Sequence, residues 1–227
     1  PGDLPLIPAT RAELARVLRF FERAARALHA AHGEGLVHRD IKPANLMVAP
    51  SGDPVVLDFG LARMAESDGE SPAPALTRDG EVFGTPAYMA PEQLSGGASD
   101  SDARADVWAL GVSLHEALAG ERPFQSEGQH GLALAILGAP ISDAAERNPV
   151  VTAEVSVILA TAMERDLARR YPSALAFAED LRRIREFEPI QARPAGRWLR
   201  LRRWCRREPA IAITVVFAGA SVTSVVI

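Results

Sequence analysis

The sequence predicts an α+β domain, mainly helical with one small β-hairpin, followed by a helix that spans a membrane. Three observations carry this. Apolar side chains recur at helical intervals after Thr10, two short apolar runs flank a cluster of turn formers, and the 18 residues Ala210 to Ile227 carry no charge.

The elements follow in chain order. "PGDLPLIP" is turn-rich. Thr10 and Glu13 then stand at capping-box spacing, a hydroxyl and a carboxylate able to satisfy each other's amides at a helix start. Leu14, Val17, Leu18, Phe21, Ala25, Leu28 and Ala31 form one apolar face down to His32, and Gly33 and Gly35 end the helix. Leu46-Met47-Val48 and Val55-Val56-Leu57 flank "APSGDP" and read as a hairpin. From Leu61 to Asp102 the composition is that of a loop, long enough to be functional. Asp106 to Gly120 is apolar almost all round and predicts a buried helix. Two more helices are expected around Thr152–Met163 and Ser173–Phe187.

Composition narrows the function classes. A chain of 227 residues can bury one sizeable core and carry something besides. Its net charge of −4 argues against a nucleic-acid partner. A single cysteine, Cys205, excludes an internal disulfide framework and fits a reducing compartment. The chain begins on Pro1 and ends inside an apolar run, so it reads as a piece of a longer protein.

The chemistry gathers at the hairpin. Asp40 and Asn45 precede the first strand and Asp58 follows the second, so pairing the strands brings three oxygen-bearing side chains together. Hard oxygen donors with an incomplete shell suit magnesium, which keeps waters and takes phosphate oxygens. Lys42, the only lysine in a chain otherwise supplied with arginine, stands between them. An ammonium is a compact, mobile point charge, whereas a guanidinium is a wide planar fork. A site needing a small cation to reach a transferring phosphoryl group explains the exception.

"HRDIKPAN", then "DFG", "GTPAYMAPE" and "DVWALGV" resemble, in order and spacing, the catalytic lobe of the protein kinases. The likeness covers roughly residues 10 to 188 and is nearest to the bacterial membrane-anchored Ser/Thr kinases. It implies ATP and Mg2+ as cofactors and protein Ser/Thr hydroxyls as substrates. By this resemblance Asp40 is the base that takes the hydroxyl proton, and Asn45 and Asp58 hold the metal ions. Lys42 neutralises the γ-phosphate and marks the Ser/Thr branch, while Thr85 lines the acceptor pocket. His38 and Phe59 stack in an internal spine, with Gly60 completing the tripeptide. Asp106 braces the catalytic-loop backbone from the buried helix, and Glu92 pairs with Arg170. His38 reads as a packed structural histidine, and Met89 and Trp108 as plain core. Leu167 stands where the family usually has proline.

Arg39, beside the aspartate, forms a ready pocket for a phosphate on the long loop. Thr77, with Arg78 next to it, is the preferred phosphosite and Ser71 the second.

The family's small lobe, with its glycine-rich loop and strand lysine, has no counterpart in these residues. Two functions follow: a fragment of an active Ser/Thr kinase, or a catalytically inactive, pseudokinase-like scaffold lacking the nucleotide-binding half. The expected organisation is a lobe over residues 1–188, a basic juxtamembrane segment over 189–208 and a truncated transmembrane helix over 209–227. Seven arginines from Arg193 to Arg207, with Trp198 and Trp204 among them, are the flank expected on the cytoplasmic side of a span. That predicts a single-pass protein of the cytoplasmic membrane with its lobe inside, partnered by protein substrates and the membrane, no nucleic acid, and dimerisation left open.

Overall fold

The computed structural model describes residues 7–59, 86–95 and 102–192. Helix α1, Arg11–Gly33, opens on the capping box. The Thr10 hydroxyl accepts from the Glu13 amide at 3.2 Å, and the Glu13 carboxylate accepts from the Ala9 and Thr10 amides at 2.8 and 3.1 Å. A cap of this kind contributes about 1 kcal/mol to the helix. Leu14, Val17, Leu18, Phe21, Ala25 and Leu28 are all buried, so the apolar face read from the sequence is the face that packs.

The hairpin pairs β1, Leu46–Val48, with β2, Pro54–Val56, antiparallel. Leu46 lies opposite Val56 and Met47 opposite Val55. Met47 and Val55, the central residues, are exposed at 53% and 44%. Leu46, Val48 and Val56 pack against the core, and α1 lies against β2.

Helix α2, Pro91–Leu94, is a single turn, preceded by a 3-10 turn at Pro86–Tyr88. Helix α3, Arg104–Ala119, is buried at every position from Ala105 to His115. It stops at Gly120, whose φ of 74° is the left-handed conformation that favours glycine. The chain continues through α4, Gly128–Gly138, α5, Ala144–Arg147, α6, Ala153–Ala162, and α7, Ala174–Arg185. Thr152 and Ser173 cap α6 and α7 through their hydroxyls.

Helix α7 lies along α1, and α6 packs on α3. The α1–α7 seam is charged as well as apolar: buried Glu22 accepts from Arg185 at 2.6 Å, and Arg26 reaches Glu179 at 2.6 Å. Trp108 and Phe177 are fully buried in the core, and such side chains contribute roughly 1.5–3 kcal/mol each.

The architecture is therefore α+β and mainly helical, with one two-stranded sheet among the described residues. Two expectations are corrected. The segment 61–102 is not loop throughout, since α2 and the turn before it fall inside; one helical turn is too short to show a period. Helices α4 and α5 were not anticipated: α4 begins without a side-chain cap, and α5, although Asp143 caps it by accepting from the Ala145 amide at 3.0 Å, is one turn long and shows no period. No helix among the described residues is long and apolar enough to cross a membrane. The anticipated span over 209–227, like most of the basic segment, lies outside them.

Candidate active site

Asp106, at the start of α3, is 1% exposed and faces the loop before the hairpin. Its carboxylate accepts from the amides of His38 at 2.9 Å and Arg39 at 2.8 Å, and contacts His32 Nε2 at 2.8 Å. That grip holds Arg39 at φ 65°, left-handed for a residue with a side chain. Such a conformation costs about 1–3 kcal/mol and persists only where surrounding contacts over-determine it.

His38 links the two halves of the site. The Asp40 amide donates to its Nδ1 at 3.3 Å, so Nε2 carries the proton and donates to the Leu57 carbonyl at 2.7 Å. The ring thus ties Asp40 to the residue preceding Asp58. It also meets Phe59 edge-on, with centroids 4.8 Å apart. The Leu57 amide donates to the Asn45 carbonyl at 2.9 Å, a second tie across the hairpin ends.

The Asp40 side chain is 54% exposed. Lys42 Nζ donates to its Oδ2 at 2.7 Å. Asn45, 6% exposed, donates from Nδ2 to the Asp40 carbonyl at 2.8 Å and to its carboxylate at 3.2 Å. With the nitrogen committed to the loop, Oδ1 is the amide atom a cation can use. Asp58 is exposed and left-handed, φ 59°. Among the described residues no group of three His, Cys, Asp or Glu side chains is placed to hold a metal ion. Two carboxylates and one amide make a partial oxygen set. That chemistry fits magnesium, which completes its shell with water and phosphate.

Glu92 and Arg170 form a two-pronged pair at 2.6 and 3.0 Å. Arg170 also donates to the carbonyls of Glu164 and Arg104, and its guanidinium lies 5.1 Å from the Trp108 ring centre. The pair thereby fastens α2 to α3 and to the segment after α6. Arg104 reaches the Leu167 carbonyl at 3.0 Å, so the departure at Leu167 falls within a hydrogen-bonded turn.

Gly60, Ser71, Thr77 and Thr85 lie outside the described residues. Sequence reasoning missed three contacts around the site. His32 read only as the end of α1. Tyr88 donates to Glu116 at 2.6 Å, and burial beside that carboxylate pushes the phenol well above its ordinary pKa. Gln93 bridges α2 to the Arg39 carbonyl. Each joins segments far apart in the chain and leaves no local pattern.

A family model described as "Protein kinase domain" matches residues 9–180. The chain is 38% identical over 165 residues to the DNA damage-responsive serine/threonine-protein kinase RqkA of Deinococcus radiodurans, covering 73% of this chain and 24% of that one. It is 38% identical to serine/threonine-protein kinase pkn3 of Myxococcus xanthus, covering 74% of this chain and 31% of the relative. With serine/threonine-protein kinase PknB of Mycobacterium tuberculosis the identity is 34%, over 78% and 27%. The chain therefore spans only about a quarter to a third of these relatives' length.

Proposed function

The chain belongs to the protein kinase family, and on that premise we propose that it is the catalytic lobe of a bacterial Ser/Thr kinase that moves the γ-phosphate of ATP to protein hydroxyls. One observation carries the reading above others: an exposed Asp40 carboxylate, touched by Lys42 and Asn45, on a loop whose backbone is pinned from behind by buried Asp106.

Asp40 takes the proton of the attacking Ser or Thr hydroxyl as its oxygen bonds to the γ-phosphorus and the bond from that phosphorus to the bridging oxygen of ADP breaks, releasing ADP. Lys42 rests on the Asp40 carboxylate and, on its flexible stem, swings its charge to the γ-phosphate. Asn45 and Asp58 would hold magnesium, which when bound would supply positive charge to the phosphate oxygens. Exposed Met47, the second residue after Asn45, offers an apolar surface for the adenine.

Three further parts rest on the sequence. Thr85 lines the acceptor pocket. Phosphorylation of Thr77 or Ser71 presents charge to Arg39 and switches the activity. The arginine-rich segment and the charge-free run after it anchor the protein to the cytoplasmic membrane with the lobe inside. The inactive-scaffold alternative draws on one fact, the absence of a glycine-rich loop and of a second lysine from these residues.

Asp40→Asn in the full-length protein separates the two. Loss of the proton acceptor lowers phosphoryl transfer by about 10²–10⁴-fold while the thermal midpoint holds. Near-wild-type turnover by the variant would refute the assignment of the base, and no transfer by the wild type would favour the scaffold.

A further inference from the structure

We propose that Gln93 is a positioning residue for Asp40, a role that rests on the kinase reading above. The peptide joining Arg39 to Asp40 sets where the Asp40 side chain points. The Asp106 carboxylate holds the Arg39 amide at 2.8 Å, and the His38 ring receives the Asp40 amide at 3.3 Å. The carbonyl between them, that of Arg39, accepts from Gln93 Nε2 at 3.2 Å. Gln93 thus adds the contact to that peptide that comes from α2.

The amide orientation of Gln93 is unambiguous. Its Oε1 accepts from the Ala90 amide at 2.8 Å, and a backbone N–H can only donate. The other end must then be the nitrogen, and it meets a carbonyl that can only accept. One side chain therefore caps α2 with its oxygen and holds the catalytic loop with its nitrogen.

The choice of residue type points the same way. Gln93 is the third residue of α2, where a glutamate would cap the Ala90 amide as well and would interact more favourably with the helix dipole. A glutamate cannot donate to the Arg39 carbonyl and would set a negative oxygen against it. Helix stability alone favours Glu; the loop contact requires the amide.

Two substitutions separate these duties. Gln93→Glu keeps the cap and removes the donor; Gln93→Lys keeps a donor and removes the cap. In the full-length protein, Gln93→Glu is expected to hold or raise the thermal midpoint while lowering kcat by about tenfold to a hundredfold, the scale of a small misplacement of a reacting group. The KM for ATP stays within about twofold, since uniform binding is untouched. Gln93→Lys lowers the midpoint yet recovers most of the lost kcat. If kcat instead follows the midpoint in both variants, Gln93 is a structural cap and the proposal falls.

Amide hydrogen exchange across residues 36–45 of the present chain supplies a readout independent of activity. Faster exchange in Gln93→Glu than in the wild type is expected, and unchanged exchange would overturn the tie. Should the wild-type protein transfer no phosphate, the kinase reading fails while the exchange result still judges Gln93.

Discussion

Asp106 is charged, 1% exposed and surrounded by donors, with two backbone amides and the His32 ring converging on its two oxygens. A carboxylate is the only common side chain that can accept from all three at once. In Asp106→Asn one oxygen becomes an NH2 group facing an N–H, which leaves a buried donor unmatched and costs about 2–3 kcal/mol. Urea unfolding of this chain measures it, and a loss under half that size would mean the carboxylate is not what holds the loop. At this scale the sequence is legible where chemistry forces a residue type. Asp40, Lys42, Asn45 and Asp58 flank one hairpin and announce themselves through spacing and the exceptional lysine. The residues that aim them do not. Asp106 meets Arg39 across 67 positions, Gln93 meets it across 54, and Tyr88 meets Glu116 across 28. Asp106 is legible only through a motif resemblance; for Gln93 and His32 no local pattern marks the partner.

Helices show the same division. Thr10, Thr152 and Ser173 cap α1, α6 and α7 through their hydroxyls, and these helices start beside the residues where the sequence pattern begins them. Helix α4 begins without a side-chain cap, and its C-terminal carbonyls are satisfied from elsewhere. Arg165 donates to Ile136, Ala135 and Ala139, 26 to 30 positions away. Its sequence could not reveal a cap that arrives from another part of the chain. Helix α3 is legible as buried because nearly every position is apolar, but its tightest contact is not. A Cβ added at Gly111 would lie 2.8 Å from Ala162 Cβ and 3.1 Å from Met163 Cγ, so α3 and α6 approach through that glycine. Ala162 Cβ has no torsion with which to withdraw. Gly111→Ala gains about 1 kcal/mol of helix propensity, but overpacking costs roughly 1–3 kcal/mol. The expected outcome is a net loss of about 1 kcal/mol, read by thermal or urea unfolding. Adding Ala162→Gly should recover part of it, and a stabilised single variant would show that the helices can separate freely.

Over the whole molecule, composition divides the chain more clearly than any element does. The change from a mixed-charge lobe to arginines and then to a charge-free run is plain in the sequence, yet residues 193–227 lie outside those the structure describes. The lobe itself poses a sharper question, because the surface proposed above to meet the nucleotide is one-sided. Met47, Val55, Leu36 and Phe59 are 39–53% exposed around the hairpin and the loop before it. The chain also holds one lysine, Lys42, assigned above to the γ-phosphate, and no glycine-rich loop to fold over phosphates. An adenine on such a surface meets apolar atoms on one face and water on the other, so only part of its hydrophobic transfer energy is gained. The inner phosphates find no second lysine in these residues. This chain alone is therefore expected to bind ATP–magnesium more weakly than about 100 µM, less than about 5.5 kcal/mol of binding free energy. Titration calorimetry on the 227-residue chain, run beside the full-length protein, tests the point. Micromolar affinity for the chain by itself would mean that Asn45, Asp58 and Lys42 suffice to hold the nucleotide. Tight binding by the full-length protein and none by the chain would place the remaining grip on the nucleotide in residues outside these 227.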